Sequence, residues 1–282
     1  MAWFRYIQEC VREQVQPSAL FASPGFRLEH VAADSMHCGD LGSFQDAVGG
    51  VFWVEVDCKD FHRSRAAGVE FLNRELRRYY AANPGFSAMH LTLGMLKGKQ
   101  DTYPSLKCKA AECRHLAAFL VVLANLHAHG AAGRGPLELG GPRLGPYSGE
   151  YRVEVVALAT SLHRYHAACQ ADPFVCQDCK AAMYGFLSAM SKLRLLFRRH
   201  LPLEEHTSMP FVFRPKIHML QHVVEEHVPR WLSPANFWCY SDEDFVGLMK
   251  RICLNSKHPA SMERVLLLKF RLLAGLNAIA HG

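Results

Sequence analysis

The stretch LKCKAAECRHLAAFLVVLANLHAH, residues 106–129, constrains the fold more than any other part of the chain. Leu116, Phe119, Leu120, Leu123 and Leu126 recur at the spacing of one helix face, so this segment reads as a buried amphipathic helix. Its apolar run, Leu116 to Leu126, is the longest in the sequence. It falls well short of the roughly 20 residues needed to cross a bilayer. A helix of this kind needs apolar partners on its buried side, and the chain supplies them.

Most of the sequence repeats the same period. Trp3, Phe4, Ile7, Cys10, Val11 and Val15 predict a helix over 2–16, ended by Pro17 and a Ser23-Pro24-Gly25 turn. The alternating FRLEHVA segment predicts a short strand that delivers Asp34 at its end. Leu41, Phe44, Val48, Val51 and Phe52 fit a helix, although VFWVEV alone would also pass as a strand. A charged helix is expected near 63–82, closed by Asn83-Pro84-Gly85. The glycine- and proline-rich run at 130–149 is the best internal boundary, and helices resume near 150–170, 176–200, 215–228, 242–254 and 259–280. The expected fold class is mainly α, with few short strands.

Composition narrows the function classes. With 282 residues, half of them hydrophobic, the chain can bury a full core. A net charge of +6 favours a polyanionic partner only weakly. The opening residues carry Arg5, Glu9, Arg12 and Glu13, so no secretory leader is expected there. Ten cysteines in such a chain read as reduced thiols, which predicts an intracellular protein, nuclear before cytoplasmic, with no membrane partner.

Two stretches far apart in sequence carry candidate chemistry. The first is ADSMHCGDLG, residues 33–42, with Asp34 and His37 ahead of Leu41 and Gly42. The second combines RPKIHMLQHVVEEH, with Pro215, Lys216 and His218, and FWCYSDEDFVG, with Glu243 and Gly247. Read in order, they resemble eukaryotic DDE transposases, above all the CACTA-like group. There a catalytic aspartate precedes a His and a Leu-Gly helix start, and a Pro-Lys-hydrophobic-His helix precedes the last catalytic glutamate. LKCKAAECRHLAAFL is similar to the family's inserted helical domain, and the resemblance spans roughly residues 26–254.

The resemblance implies an RNase H-like α/β core carrying a large all-α insertion. Residues 1–58 would be an N-terminal helix plus a partial core, 59–210 the insertion, and 211–282 the helices that complete the core. Asp34 and Glu243 would be metal ligands for Mg²⁺ or Mn²⁺, with His37 and His218 supporting them. Two such ions about 3.5–4 Å apart would clamp the attacking and leaving oxygens during DNA strand cleavage and transfer. The sequence departs from the pattern in one respect: the 33 residues before Asp34 contain no aspartate to serve as the family's first ligand. The expectation is a truncated, transposable-element-derived chain that binds these metals poorly and is catalytically inactive.

Locally, Asp242, Glu243 and Asp244 after Ser241 would equally start a helix, where the macrodipole favours acids. Arg77 and Arg78, and Arg198 and Arg199, are the candidate phosphate contacts for DNA; solvated helix faces are the commoner use of such pairs. His166, Cys169, Cys176 and Cys179 form an alternative zinc set, although a single C-x-x-C among helix formers is a weak signal. The alternative function is therefore a non-catalytic helical interaction or nucleic-acid-binding protein, with a structural zinc site as its variant.

Overall fold

The computed structural model describes residues 33–58, 62–84, 89–97, 102–129, 149–231, 233–240, 245–248, 250 and 268. Within these, the chain forms α1 (Phe44–Asp57), α2 (Arg65–Ala82), the single turn α3 (Leu93–Leu96), α4 (Ala110–His129), α5 (Gly149–Gln170), α6 (Cys176–His200), α7 (Pro215–His222) and the short α8 (Val228–Trp231). No strand occurs among the described residues. The helix expected over 2–16, the FRLEHVA strand, residues 130–148 of the glycine-rich run and the helix at 259–280 lie outside them, apart from Leu268.

Helix α1 is the centre of the packing. Phe44, Ala47, Val48, Val51, Phe52, Trp53, Val54 and Val56 are all buried, so the helix is apolar on nearly every side. That all-round burial explains why VFWVEV is ambiguous in sequence: a continuous apolar run carries no period to separate strand from helix. The surrounding segments approach its backbone closely. The N–H of Leu106 donates to the Gln45 carbonyl at 3.0 Å, and a Cβ on Gly49 would lie 2.3 Å from the Leu106 nitrogen. On the next residue, a Cβ on Gly50 would meet the ring of Phe211 at 2.9 Å. Phe211 itself holds φ at +62°, a left-handed conformation uncommon for a bulky residue, while its ring is wholly buried against Phe197.

Helices α5 and α6 form a long hairpin joined through residues 171–175. Leu158, Leu162 and Tyr165 on one and Met183, Phe186, Met190 and Leu193 on the other face the same core as α1 and α4. Gly185 permits the close crossing, because a Cβ there would lie 2.5 Å from the Ser161 hydroxyl. Helix α2 opens on a Ser64 cap whose hydroxyl accepts from the Ala67 N–H at 3.2 Å. It packs on α1 at Gly68, where a Cβ would reach 2.7 Å from the Val56 Cα.

The sequence expects Leu41-Gly42 to open a helix. Instead the chain is already helical from Met36, and a wide helical stretch over Met36–Ser43 runs into α1. Leu41 (φ −100°, ψ 22°) and Gly42 (φ −146°, ψ −110°) form a kink inside that stretch. A second wide turn, Val223–His227, continues α7 into α8.

The chain divides into two units, Met1–Trp238 and Cys239–Gly282. In the second, residues 245–248 are helical and Phe245 and Val246 are exposed. Among the described residues, no helix is long and apolar enough to cross a membrane.

Candidate functional site

The kink at Leu41-Gly42 is where the start of α7 meets the segment ahead of α1, through Lys216 on the Leu41 carbonyl and Arg214 on Asp46. Asp34 stands just ahead of the helical stretch and caps it. Its carboxylate accepts from the backbone N–H groups of Met36 and His37, both at 3.1 Å, and pairs with the His37 ring. The N–H of Ala33 donates to His227 Nε2 at 3.1 Å, tying the start of this segment to the turn after α7.

Cations from the start of α7 close over the kink. Lys216 Nζ donates to the Leu41 carbonyl at 2.7 Å, a contact between residues 175 apart in sequence. A Cβ on Gly42 would lie 2.7 Å from Lys216 Cδ, so the glycine makes room for the lysine stem. Arg214, the residue before α7, grips Asp46 through Nε at 2.6 Å and Nη2 at 2.7 Å, and Nη2 also reaches the Gly42 carbonyl at 3.4 Å. Asp46 is 2% exposed. Burial pushes its carboxyl above the usual carboxylate range, while a hydrogen bond with Ser105 and the Arg214 and Lys216 charges pull it back. Pro215 at the first position of α7 fixes the helix start that aims both cations.

One turn back along the kink, Asp40 is buried and meets His166 Nε2 of α5 at 3.0 Å. The edge of Phe44 packs on both His166 and Tyr165. Burial is the first reason that the neighbouring Tyr165 hydroxyl and the Cys169 thiol both titrate far above their ordinary values. Cys38 is likewise buried, and its thiol is pushed up by desolvation and then by the charge of Asp34. These thiols are therefore packing groups at neutral pH, not nucleophiles.

Compared with family models, curated proteins and solved structures, the chain matches none. The site's own geometry is thus the ground for any functional reading.

Of the residues singled out in the sequence, Asp34, His37 and Lys216 gather at the kink. His218 lies further along α7, exposed, with Nε2 3.0 Å from that of His222. Glu243 lies outside the described residues. His166 faces Asp40, Cys169 and Cys179 are fully packed, and Cys176 is half-buried at the start of α6. No group of three or more His, Cys, Asp or Glu side chains able to hold a metal occurs among the described residues, the zinc set included.

Arg77 and Arg78 are exposed on α2, and Arg78 donates to both oxygens of Glu75 at 2.8 and 3.1 Å. Arg78 also borders a shallow hollow of about 480 Å³, walled by Tyr79, Val121, Val122, Leu126 and His163. Arg198 and Arg199 are exposed in the last turn of α6, where they complement the carbonyl end of the helix.

Sequence reasoning missed the Asp40–His166 and Asp46–Arg214 pairs. Their signal was present but faint: two acids set inside an otherwise apolar helical stretch, each needing a partner if buried.

Proposed function

We propose that this chain is a transposable-element-derived, catalytically inactive relative of DDE transposases that retains salt-sensitive DNA binding inside the cell. The observation that carries the reading is the docking of ADSMHCGDLG on RPKIH, through Lys216 on the Leu41 carbonyl and Arg214 on the Gly42 carbonyl. These are two of the motifs whose order suggested the family, and they meet despite their separation in sequence. The inactivity follows from the use made of Asp34. Its carboxylate already caps a helix and pairs with His37, so a Mg²⁺ or Mn²⁺ ion would have to displace those contacts.

A second reading is favoured by the same contacts serving the fold alone: a non-catalytic helical interaction protein whose clamp merely holds a kink. Duplex DNA titrated with the full chain at several salt concentrations separates the two. The transposase-derived reading expects affinity to fall with salt, and Arg198→Ala with Arg199→Ala to reduce the log–log slope by about 2, one unit per lost phosphate contact. A flat salt response removes DNA from the account and leaves the interaction protein. Strand cleavage with Mn²⁺ that disappears in Asp34→Asn would overturn the inactivity.

A further inference from the structure

Along α7 and the wide turn that continues it runs a row that the clamp does not use and of which the transposase reading takes only His218: His218, His222 and Glu226, one helical turn apart in succession. His218 Nε2 and His222 Nε2 are 3.0 Å apart, with ring centroids at 4.4 Å. On its other side, His222 Nδ1 meets Glu226 Oε1 at 2.7 Å. We propose that His218 and His222 together bind a divalent transition-metal ion of the zinc, nickel and copper class, with Glu226 orienting the site.

Three features point to a metal ligand pair in place of two unrelated surface histidines. The first is spacing. Histidines four apart on a helix share a face, so both rings reach one point without backbone movement. The second is distance. With imidazole bonds of about 2.0–2.1 Å, ligands at a right angle on one ion sit about 2.9 Å apart, and tetrahedral ligands about 3.4 Å apart. The observed 3.0 Å is that of an N–H···N hydrogen bond, which already holds the two nitrogens within a few tenths of an ångström of either value. The third is the carboxylate behind the ring. Glu226 accepts the proton on His222 Nδ1, which leaves the lone pair of Nε2 facing His218, the arrangement that orients and strengthens a histidine ligand.

The protons balance without a net release. In the metal-free chain the Nε2–H of His218 donates to His222 Nε2. On binding, His218 moves that proton to its Nδ1, and a small rotation of this exposed ring turns both lone pairs onto one point. Imidazole nitrogen suits zinc, nickel and copper ions and not Mg²⁺, so this site differs in kind from the carboxylate pair expected of a transposase. With two protein ligands, the remaining positions stay open to water.

Zn²⁺ titrated into the full chain against a chromophoric chelator tests the assignment. His218→Ala and His222→Ala should each weaken the first-equivalent affinity ten-fold or more. Glu226→Gln, which keeps both ligands, should weaken it about ten-fold while leaving the helix content unchanged by circular dichroism. Ring nitrogen spectra give a second readout, in which the first equivalent of Zn²⁺ should move the resonances lost in the two histidine variants. Unchanged affinity in both variants, or first-equivalent shifts confined to other histidines, overturns the proposal.

Discussion

Asn73 points inward from α2, where a polar side chain has no water to turn to. It does the work of a strand there. Its Nδ2 donates to the Leu91 carbonyl at 2.9 Å, and its Oδ1 accepts the Leu91 N–H at 2.8 Å. Leu91 is fully buried in a segment that is neither helix nor strand, so its backbone groups have this amide as their described partner. Asn73→Ala should therefore cost about 2–6 kcal/mol, since two buried backbone groups each lose a hydrogen bond at about 1–3 kcal/mol. Asn73→Asp keeps the acceptor but buries a carboxylate against the Leu91 carbonyl, and should destabilise more than alanine at pH 7. Urea midpoints of the three proteins check the order. If the alanine variant matches the parent, residues 89–92 are held by their side chains instead.

At the scale of elements, the decisive contact is the grip of the α7 start on the kink before α1. Arg214 is the cation nearest the buried Asp46, and removing it leaves a charge with nowhere to go. Arg214→Met keeps the stem and should destabilise by about 3–5 kcal/mol near neutral pH. The sign of its pH dependence follows from Asp46. Without Arg214 the carboxyl, already raised by burial, titrates higher still. The ionised form carries the penalty, so the loss is full above that pKa and shrinks as acid protonates the group. Adding Asp46→Asn should recover part of the loss, because no buried charge remains. Denaturant curves at pH 7 and pH 5 measure both effects, and equal losses at the two values would remove Asp46 as the cause.

Helices α2, α5 and α6 are readable from period alone, because each shows a polar face against an apolar one. The clamp itself was legible only as two motifs in order. Nothing in a one-dimensional pattern says that Lys216 ends on the Leu41 carbonyl, since the partner is a backbone atom that every residue has. In sequence the kink reads as a helix start for a related reason. Gly42 looks like a boundary in sequence, while in three dimensions it is small to admit Lys216. Asp40 and Asp46 carry no clear signal in sequence, because an acid near a helix start is ordinary and only burial makes a partner obligatory.

Across the first unit, two histidines couple folding to pH. Burial lowers His227 below its ordinary value, with Glu226 opposing and Arg230 and His222 adding to the shift. His115 is lowered by burial too, then by Arg114 and His166, against Asp40. For His227 the geometry gives the reason. Its Nε2 accepts the Ala33 N–H and must stay unprotonated, and its Nδ1 is buried with no hydrogen-bond partner among the described residues. Below about pH 6.5 the unfolded chain takes up protons that the folded rings refuse. The unfolded state then binds more protons, so stability falls as pH drops through this window and levels off above it. Self-repulsion of a chain already at +6 would act in the same direction as its sixteen histidines charge. Salt separates the two causes, because it screens surface repulsion and leaves ring desolvation in place. Thermal midpoints between pH 7.5 and pH 5.5 should fall in both low and high salt, and the fall should be smaller in His115→Gln/His227→Gln. If high salt abolishes the fall, net charge sets the acid limit of this fold and the two half-buried rings do not.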